Sequence, residues 1–565
     1  MIEVEIDGKK FHVEPGKMII EVADQANIAI PRFCYHKKLS IAANCRMCLV
    51  DVEKSPKPMP ACATPVTDGM IVRTQSAKAI DAQKAVMEFL LVNHPLDCPI
   101  CDQGGECELQ DVAMGYGQDF SRYHEGKRSI KDKNLGSLVS TDMTRCILCT
   151  RCVRFGDEIA GMQELGTIGR GEPSEIGTCI ERSLVSELSG NIIDLCPVGA
   201  LTSKPFRFSA RAWEMEQHPS IAPHDCIGSN INLHVLRQKI MRVIPCENEA
   251  LNETWLSDRD RFSYEGLLTD DRLTQPMMKE ESGEWMVTDW PTALGRVAES
   301  LRLIAKEKGA DNLGALLSPS STIEEAYLLQ KIMRGLGSQN IDHRLQQSDF
   351  SADETMPLYP GLHMSLEALE RQNTIVLIGS HLNHEQPIAA HRVRKATLQG
   401  STVFAINSVD YPFRFPLTAK QIVKPSEIPA VLAEVAKALL NQGANEPIDG
   451  LKNLLAQVEP KEFAITLATQ LQQPGQKIIV LGAIAQNHPH AGTIKQLADS
   501  IGKMTDTVIA ILTPGANGAG AWLAGAVPHR GPHKEKMPKS GLNTRKMFEA
   551  KLAAYLLLNI EPHLD

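Results

Sequence analysis

Residues 143–154 read MTRCILCTRCVR, with cysteines at 146, 149 and 152. The spacing C-x2-C-x2-C offers three thiolates to one face of a metal cluster. A remote Cys-Pro, here Cys196 in LCPVGAL after 43 intervening residues, can complete a four-iron cube. Zinc rarely takes this spacing, so an iron–sulfur centre is the better reading. In ferredoxins with two clusters the remote cysteine usually serves the other one, so Cys196 has a second claimant.

That claimant lies upstream. Residues 93–107 read NHPLDCPICDQGGEC and hold Cys98, Cys101 and Cys107, one ligand short of a cube. The preceding AIDAQKAVMEFLLVNH places Ile80, Met87, Leu90, Leu91 and His94 at helical spacing, and Pro95 disfavours helical geometry at His94 itself. The imidazole then stands at a helix end, four residues before Cys98. It is either a fourth ligand or a cap for the last helical carbonyls, and the cap is the commoner fate. Gly104 and Gly105 favour a tight loop that folds Cys107 back towards Cys98 and Cys101.

Further upstream, Cys34, Cys45, Cys48 and Cys62 are spaced x10, x2, x13. By ligand type four thiolates suit zinc or a [2Fe–2S] cluster equally. The loop-like setting after a small hairpin-and-helix unit favours iron–sulfur, although the spacing is not the plant-type one. Eleven of the fourteen cysteines thus fall in three spaced groups. No secretory signal precedes them, so metal or redox chemistry is preferred to a disulfide framework. Cys179, Cys226 and Cys246 lack close partners and read as small buried hydrophobes.

The 565 residues are too many for one core and imply roughly three to five domains. A net charge of -9 argues against nucleic acid as the main partner. The opening MIEVEIDGKKFHVEPG alternates around an Asp-Gly turn, as a hairpin does, and carries no targeting pattern. Residues 507–528, TVIAILTPGANGAGAWLAGAVP, are uncharged and as long as a bilayer span. Their prolines and glycines favour a buried strand followed by a Gly-rich loop.

The texture divides the chain. Residues 1–78 alternate like strands around one helix (17–27) and read as an α+β ferredoxin-like [2Fe–2S] domain. Residues 79–215 read as largely helical and hold the second and third groups. Residues 216–270 are short-stranded. In 271–565, runs such as TIVLIG (374–379), 402–406 and KIIVLG (477–482) alternate with helical stretches 323–333 and 391–398, which argues for an open, mostly parallel α/β sheet. Residues 440–476 read as a place for a flexible connection. GLGSQN (335–340) is a weak glycine signal, with no GxGxxG after a clear strand and no GxxxxGK[ST] anywhere.

The three cysteine groups, in this order and with GNIIDLCPVGALTSKPFRFSARAWEM (190–215), resemble the large cluster-bearing subunit of respiratory complex I, NADH-quinone oxidoreductase: the G subunit in bacteria, the 75 kDa subunit in mitochondria. The resemblance implies a [2Fe–2S] cluster on Cys34, Cys45, Cys48 and Cys62. It implies one [4Fe–4S] cluster on Cys146, Cys149, Cys152 and Cys196, and another on His94, Cys98, Cys101 and Cys107 through the family's H-x3-C-x2-C-x5-C. The family's later domain is similar to molybdopterin oxidoreductases such as formate dehydrogenase, and its entrance sometimes carries a fourth cubane. Aligning that motif on SIAPHDCIGSNI and TWLSDRDRF puts Ala222, Asp225, Ser229 and Ser257 at the ligand positions, so no fourth cluster and no molybdopterin are expected. Family members continue well past sequence resembling LLLNIEPHLD, so the chain is either short or C-terminally truncated.

What the resemblance implies is an electron-transfer subunit with no catalytic residues of its own. Electrons from NADH, through the NADH/FMN-binding subunit, would enter at the [2Fe–2S] centre, pass to the Cys146 centre and then the His94 centre, and leave through a ferredoxin-like two-cluster subunit towards quinone, coupled to proton translocation. The expected place is peripheral, on the cytoplasmic side of a bacterial inner membrane or the matrix side of the mitochondrial one. The rivals are an NAD-linked formate dehydrogenase-like molybdoenzyme subunit, which would have only serine to offer as a molybdenum ligand after Cys246, a structural zinc protein, and an iron-only hydrogenase, whose extra active-site cysteines are missing.

Overall fold

The Asp7-Gly8 pair turns the chain between strands Ile2–Ile6 and Lys9–Val13 with both residues at positive φ, 48° and 81°, as a two-residue hairpin of this twist requires. In this computed structural model, which describes residues 1–178, 180, 182–444 and 451–563, the hairpin belongs to a five-stranded sheet. The order is Lys9–Val13, Ile2–Ile6, Met70–Arg73, Leu49–Val52, Met59–Pro60. Helix Ile19–Gln25 buries Ile19, Ile20, Val22 and Ala23 in one core with Val4, Ile6, Val50 and Val72. Each large apolar side chain so buried is worth ~1.5–3 kcal/mol. Cys48 and Cys62 sit in this same core, so the sheet that folds the domain also fixes two of its sulfurs.

The chain forms two units, Met1–Pro219 with Asn232–Ile244 and Leu256–Arg261, and Ser220–Ile231 with Pro245–Trp255 and Phe262–Asp565. In the first unit, helix Ala77–Leu91 starts at Ser76, whose hydroxyl accepts the Ala79 N–H, and buries Ala79, Gln83 and Met87. Ile80, assigned to that face from its spacing, is exposed. Helices Glu108–Tyr116, Arg151–Arg154 and Asn191–Leu195 follow, with a π turn at Phe155–Ala160 and two ribbons, Val139–Thr141 with Leu201–Ser203 and Gly166–Ile168 with Glu175–Gly177. The reading of 79–215 as largely helical is therefore corrected: loops and ribbons fill most of it. The physical reason is that an α-helix commits its interior N–H groups to its own carbonyls, whereas loops leave N–H groups to point at sulfur.

The second unit holds a parallel sheet ordered Ala419–Ile422, Thr402–Asn407, Thr374–Ile378, Lys477–Leu481, Val508–Ile511, and a second parallel sheet ordered Ile341–Asp342, Leu313–Leu317, Ala554–Leu558. TIVLI and KIIVL are buried at every position, as strands covered on both faces must be. Helices Ile428–Asn441, Glu462–Leu471 and Ala491–Thr505 contribute to one core with these strands. The flexible connection expected at 440–476 is corrected where it is described: Leu455, Ala464, Leu467 and Leu471 are core residues, while 445–450 lie outside the described residues. The uncharged 507–528 run is the strand Val508–Ile511, a turn, and the short helix Gly518–Leu523. Among the described residues no helix is long and apolar enough to cross a membrane.

Candidate metal centres

Cys34, the Cys45/Cys48 pair and Cys62 come from three separate places around the first sheet, and all four are buried. The Cys34 thiol hydrogen-bonds with those of Cys45 and Cys62, Cys48 bonds Cys62, and the Cys34 N–H points at the Cys45 sulfur at 3.4 Å. Hydrogen bonds from its neighbours hold the Cys34 thiol well below its ordinary range and push Cys45 and Cys62 up. Ala43 and Arg46, in the loop that carries Cys45, are non-glycine residues at φ 51° and 59°. Such conformations cost on the order of 1–3 kcal/mol and persist where a site over-determines them.

The third group repeats the device. Leu148 and Thr150 stand at φ 55° and 61°, and the Leu148 N–H points at the Cys146 sulfur at 3.4 Å. Cys152 lies in helix Arg151–Arg154, and Cys196 closes helix Asn191–Leu195. The thiols are close enough for their charges to interact. Burial pushes Cys146 up to about 11, Cys149 and Cys196 up to about 12, and Cys152 up as well. Free, these thiols keep their protons at neutral pH, and a metal must displace them.

In the second group Cys101 is buried, Cys107 half-buried and Cys98 exposed. Their thiols interact electrostatically, Cys101 and Cys107 each with Cys98 and Cys107 with Cys101. A Cβ added at Gly199 would stand 2.1 Å from the Cys101 sulfur, and the Cys107 sulfur lies 3.7 Å from the Pro197 carbonyl. The second group therefore packs directly on the Cys196 loop of the third.

Of the two roles open to the His94 imidazole, capping is taken by Lys127 and by the backbone N–H of His94, which donates to the Leu91 carbonyl at 3.2 Å. The helix ends at Leu91, and Lys127 Nζ donates to the carbonyls of Leu91 and Val92 at 3.0 and 2.8 Å. His94 Nδ1 is left buried with no hydrogen-bond partner. Burial, assisted by the charges of Lys127 and Arg145, lowers the imidazole to about 4, so the ring is neutral at neutral pH. A buried, neutral, unpartnered ring nitrogen suits a metal ligand. Among the described residues no three or more His, Cys, Asp or Glu side chains converge on one metal-ion position, and the thiols of the first set are linked in a chain, Cys45–Cys34–Cys62–Cys48.

Three arginines of the opening stretch, which the sequence reading passed over, tie the groups together. Arg145 Nε donates to Asp97, beside Cys98, at 3.1 Å, and its Nη1 to the Gly199 carbonyl at 3.3 Å. Arg151 Nη1 reaches Glu108, beside Cys107, at 2.7 Å and the Leu195 carbonyl, beside Cys196, at 3.3 Å. Its Nη2 donates to the Tyr35 carbonyl, beside Cys34, at 2.9 Å. Arg154 Nη2 donates to the carbonyls of both Cys34, at 2.6 Å, and Cys149, at 3.2 Å. The available signal was position: each arginine stands within two residues of a cysteine of the C-x2-C-x2-C run.

At the alignment positions of a fourth cubane, Ala222, Asp225, Ser229 and Ser257 are each buried. Asp225 accepts the Ile227 N–H, Ser257 bonds Asp260, and the Ser229 hydroxyl is without a partner. Cys226 and Cys246 are half-buried as residues, burial pushes the Cys226 thiol up to about 12, and Cys179 lies outside the described residues.

Five family models match in succession. They are a 2Fe-2S iron-sulfur cluster binding domain (1–77), an NADH-ubiquinone oxidoreductase-G iron-sulfur binding region (83–122) and the ferredoxin-like domain of NADH-quinone oxidoreductase subunit 3 (136–202). An NDSU1/NuoG-like 4Fe-4S domain (215–265) and molybdopterin oxidoreductase (272–561) follow. The NADH-quinone oxidoreductase G subunit of Rickettsia felis is 45% identical over 401 residues, covering 71% of this chain and 59% of that protein. The NADH-ubiquinone oxidoreductase 75 kDa subunit of Reclinomonas americana is 45% identical over 418 residues, with the same shares. The chain thus spans about 59% of the length of these relatives. A chain of the NAD+-reducing [NiFe]-hydrogenase in its H2-reduced state has 26% identity over 37% of this chain and 90% of its own, with a TM-score of 0.35.

The molybdopterin oxidoreductase match invites a test of the second unit for a phosphate-bearing pterin. A cavity of about 310 Å³ lies outside the carboxyl ends of Leu313–Leu317, Ile341–Asp342 and Val508–Ile511, where α/β sheets bind ligands. Two of its lining cations are already held: Arg344 by Asp342 and Asp353, Lys495 by Asp499. Where the sheet order reverses, between Thr374–Ile378 and Lys477–Leu481, the Glu385 carboxylate accepts the N–H groups of His381 and Ala483. The Glu385 carboxylate thus takes up the two N–H groups that this switch point presents, which closes them to a phosphate.

Proposed function

The chain belongs to the family of NADH-quinone oxidoreductase G subunits, and on that footing we propose that it is the iron–sulfur wire of such a complex. Cys34, Cys45, Cys48 and Cys62 would hold a [2Fe–2S] cluster. Cys146, Cys149, Cys152 and Cys196 would hold one [4Fe–4S] cluster, and His94, Cys98, Cys101 and Cys107 the other. When bound, these groups supply one-electron carriers and nothing else. The parts in this reading are 1–78 for the first centre, 79–215 for the other two, 216–270 without ligands, and 271–565 as a scaffold without a pterin.

The residues themselves do three things. Their loops turn N–H groups towards sulfur, which stabilises negative charge there. Burial limits water at two of the three sets. Neutral His94 contributes one negative charge fewer than a thiolate, which raises the potential of its centre relative to an all-thiolate one.

The observation that carries the order is that the third group lies between the other two. Arg154 bonds the carbonyls of Cys34 and Cys149, and Cys101 abuts Gly199 beside Cys196. Electrons would therefore run from the Cys34 set through the Cys146 set to the His94 set. The donor in this reading is an NADH/FMN-binding subunit and the acceptor a ferredoxin-like two-cluster subunit leading to quinone, in a complex peripheral to the cytoplasmic or matrix side of a membrane and coupled to proton translocation. The test is Cys149→Ala in the chain purified with its neighbours. The expected result is the loss of one cubane's low-temperature EPR signal and of NADH-to-quinone transfer, and an unchanged spectrum would overturn the assignment.

A further inference from the structure

Arg151 is buried to 4% exposure, yet its guanidinium touches the surroundings of all three metal-binding sets. It reaches the Tyr35 carbonyl beside Cys34, the Leu195 carbonyl beside Cys196, and the Glu108 carboxylate beside Cys107 with both nitrogens, at 2.7 and 3.1 Å. Its own backbone lies between Cys149 and Cys152. Glu108 is 44% exposed while Arg151 is enclosed, so water screens the anion more than the cation. The pair is thus electrically lopsided, with the less screened positive end lodged beside the Cys146 set.

We propose that Arg151 is the positioning residue that sets the reduction potential of the Cys146–Cys149–Cys152–Cys196 centre, with Glu108 as an opposing and weaker trim. The inference rests on the ligand reading above. Reduction adds one electron to that centre, from dithionite in a titration or from the preceding centre in the complex. No bond forms and no proton moves, so the added negative charge is felt electrostatically. A fixed buried cation favours the reduced form, and removing it must disfavour it. The guanidinium's hydrogen bonds to backbone carbonyls keep that charge at a constant place, because both Nη groups are engaged.

The two members of the pair therefore predict opposite signs. In the full chain carrying its clusters, Arg151→Gln should lower the reduced-to-oxidised ratio of the third centre at fixed poise by about tenfold, which is 59 mV for one electron. Arg151→Lys should recover most of that shift, since it restores the charge without the fork. Glu108→Gln should move the same midpoint upward by a smaller amount. A merely structural role would loosen the site without reversing the sign between the two variants.

The measurement is a redox titration followed by low-temperature EPR, with iron content determined on each sample. Should Arg151→Gln fail to retain its cluster, Glu108→Gln, at a half-exposed residue, decides alone: an upward shift supports the proposal, and no shift or a downward one overturns it. Equal midpoints in all variants would also overturn it. If the unaltered chain shows no cubane signal at all, the ligand reading has failed, and if the signal is present but does not respond, only the role of Arg151 has.

Discussion

Gly199→Ala separates a sulfur tied to a cluster from one that is free. The added Cβ would lie 2.1 Å from the Cys101 sulfur, against a van der Waals separation of roughly 3.5–4.0 Å, a deficit of at least about 1.4 Å. With no cluster, the side chain of Cys101 can swing aside, and leaving its preferred rotamer costs about 0.5–1.5 kcal/mol. Tied to iron, the sulfur has no such freedom, since metal–ligand distances tolerate only about 0.2 Å. The variant should therefore fold almost as stably without iron, as read by urea denaturation, yet bind about six irons per chain where the parent binds about ten. The EPR signal of the His94 set should vanish while the other two remain. Full iron content with all three signals intact would refute both the position of Cys101 and its role.

His94→Ala should cost about four irons with no change in helix content by circular dichroism, whereas Lys127→Met should leave iron unchanged and cost on the order of 0.5–1 kcal/mol through its lost carbonyl bonds. His94→Cys should keep a cluster and shift its midpoint downward in EPR titration, since a thiolate brings the negative charge that imidazole lacks. In the second unit, Glu253 bonds His391, Arg392 and Lys395, and its neutralisation as Glu253→Gln should cost about 1–3 kcal/mol in urea denaturation, because Arg392, buried at 2% exposure, keeps Glu370 but loses one of its two carboxylate partners. Burial alone would raise the Glu253 carboxyl, but hydrogen bonds from His391 and Lys395 and the Arg392 charge hold it well below the carboxylate range. A depressed folded value stabilises above the unfolded pKa and is lost as pH falls through the folded one. The parent's stability advantage over Glu253→Gln should therefore be full at neutral pH and shrink as the pH drops below about 4.

Cysteine spacing made the three sets legible, because a ligand set is a local list of residue types. The strands TIVLIG and KIIVLG were legible for a similar reason, being apolar runs bounded by turns. What spacing did not show was long-range. Whether His94 caps a helix depended on Lys127, 33 residues away in sequence and silent until the chain folds back. The helical reading of 79–215 failed because apolar periodicity does not register loops held by arginine–carbonyl bonds. The same bonds explain why Arg145, Arg151 and Arg154 passed unnoticed in the sequence: many of their partners are backbone oxygens, which carry no sequence signature.

The π turn at Phe155–Ala160 follows directly on helix Arg151–Arg154, and the two elements grip one residue of the first cysteine loop from both sides. Arg154 donates to the Ser40 carbonyl, and the Ser40 N–H and hydroxyl both donate to Glu158. A π turn carries one residue more than the α-helical turn it replaces, so its deletion would rotate Glu158 by about 100° away from Ser40. The length of 155–160 is therefore as constrained as its chemistry: an insertion or deletion there removes no cysteine and still unlatches the loop that presents Cys34 and Cys45.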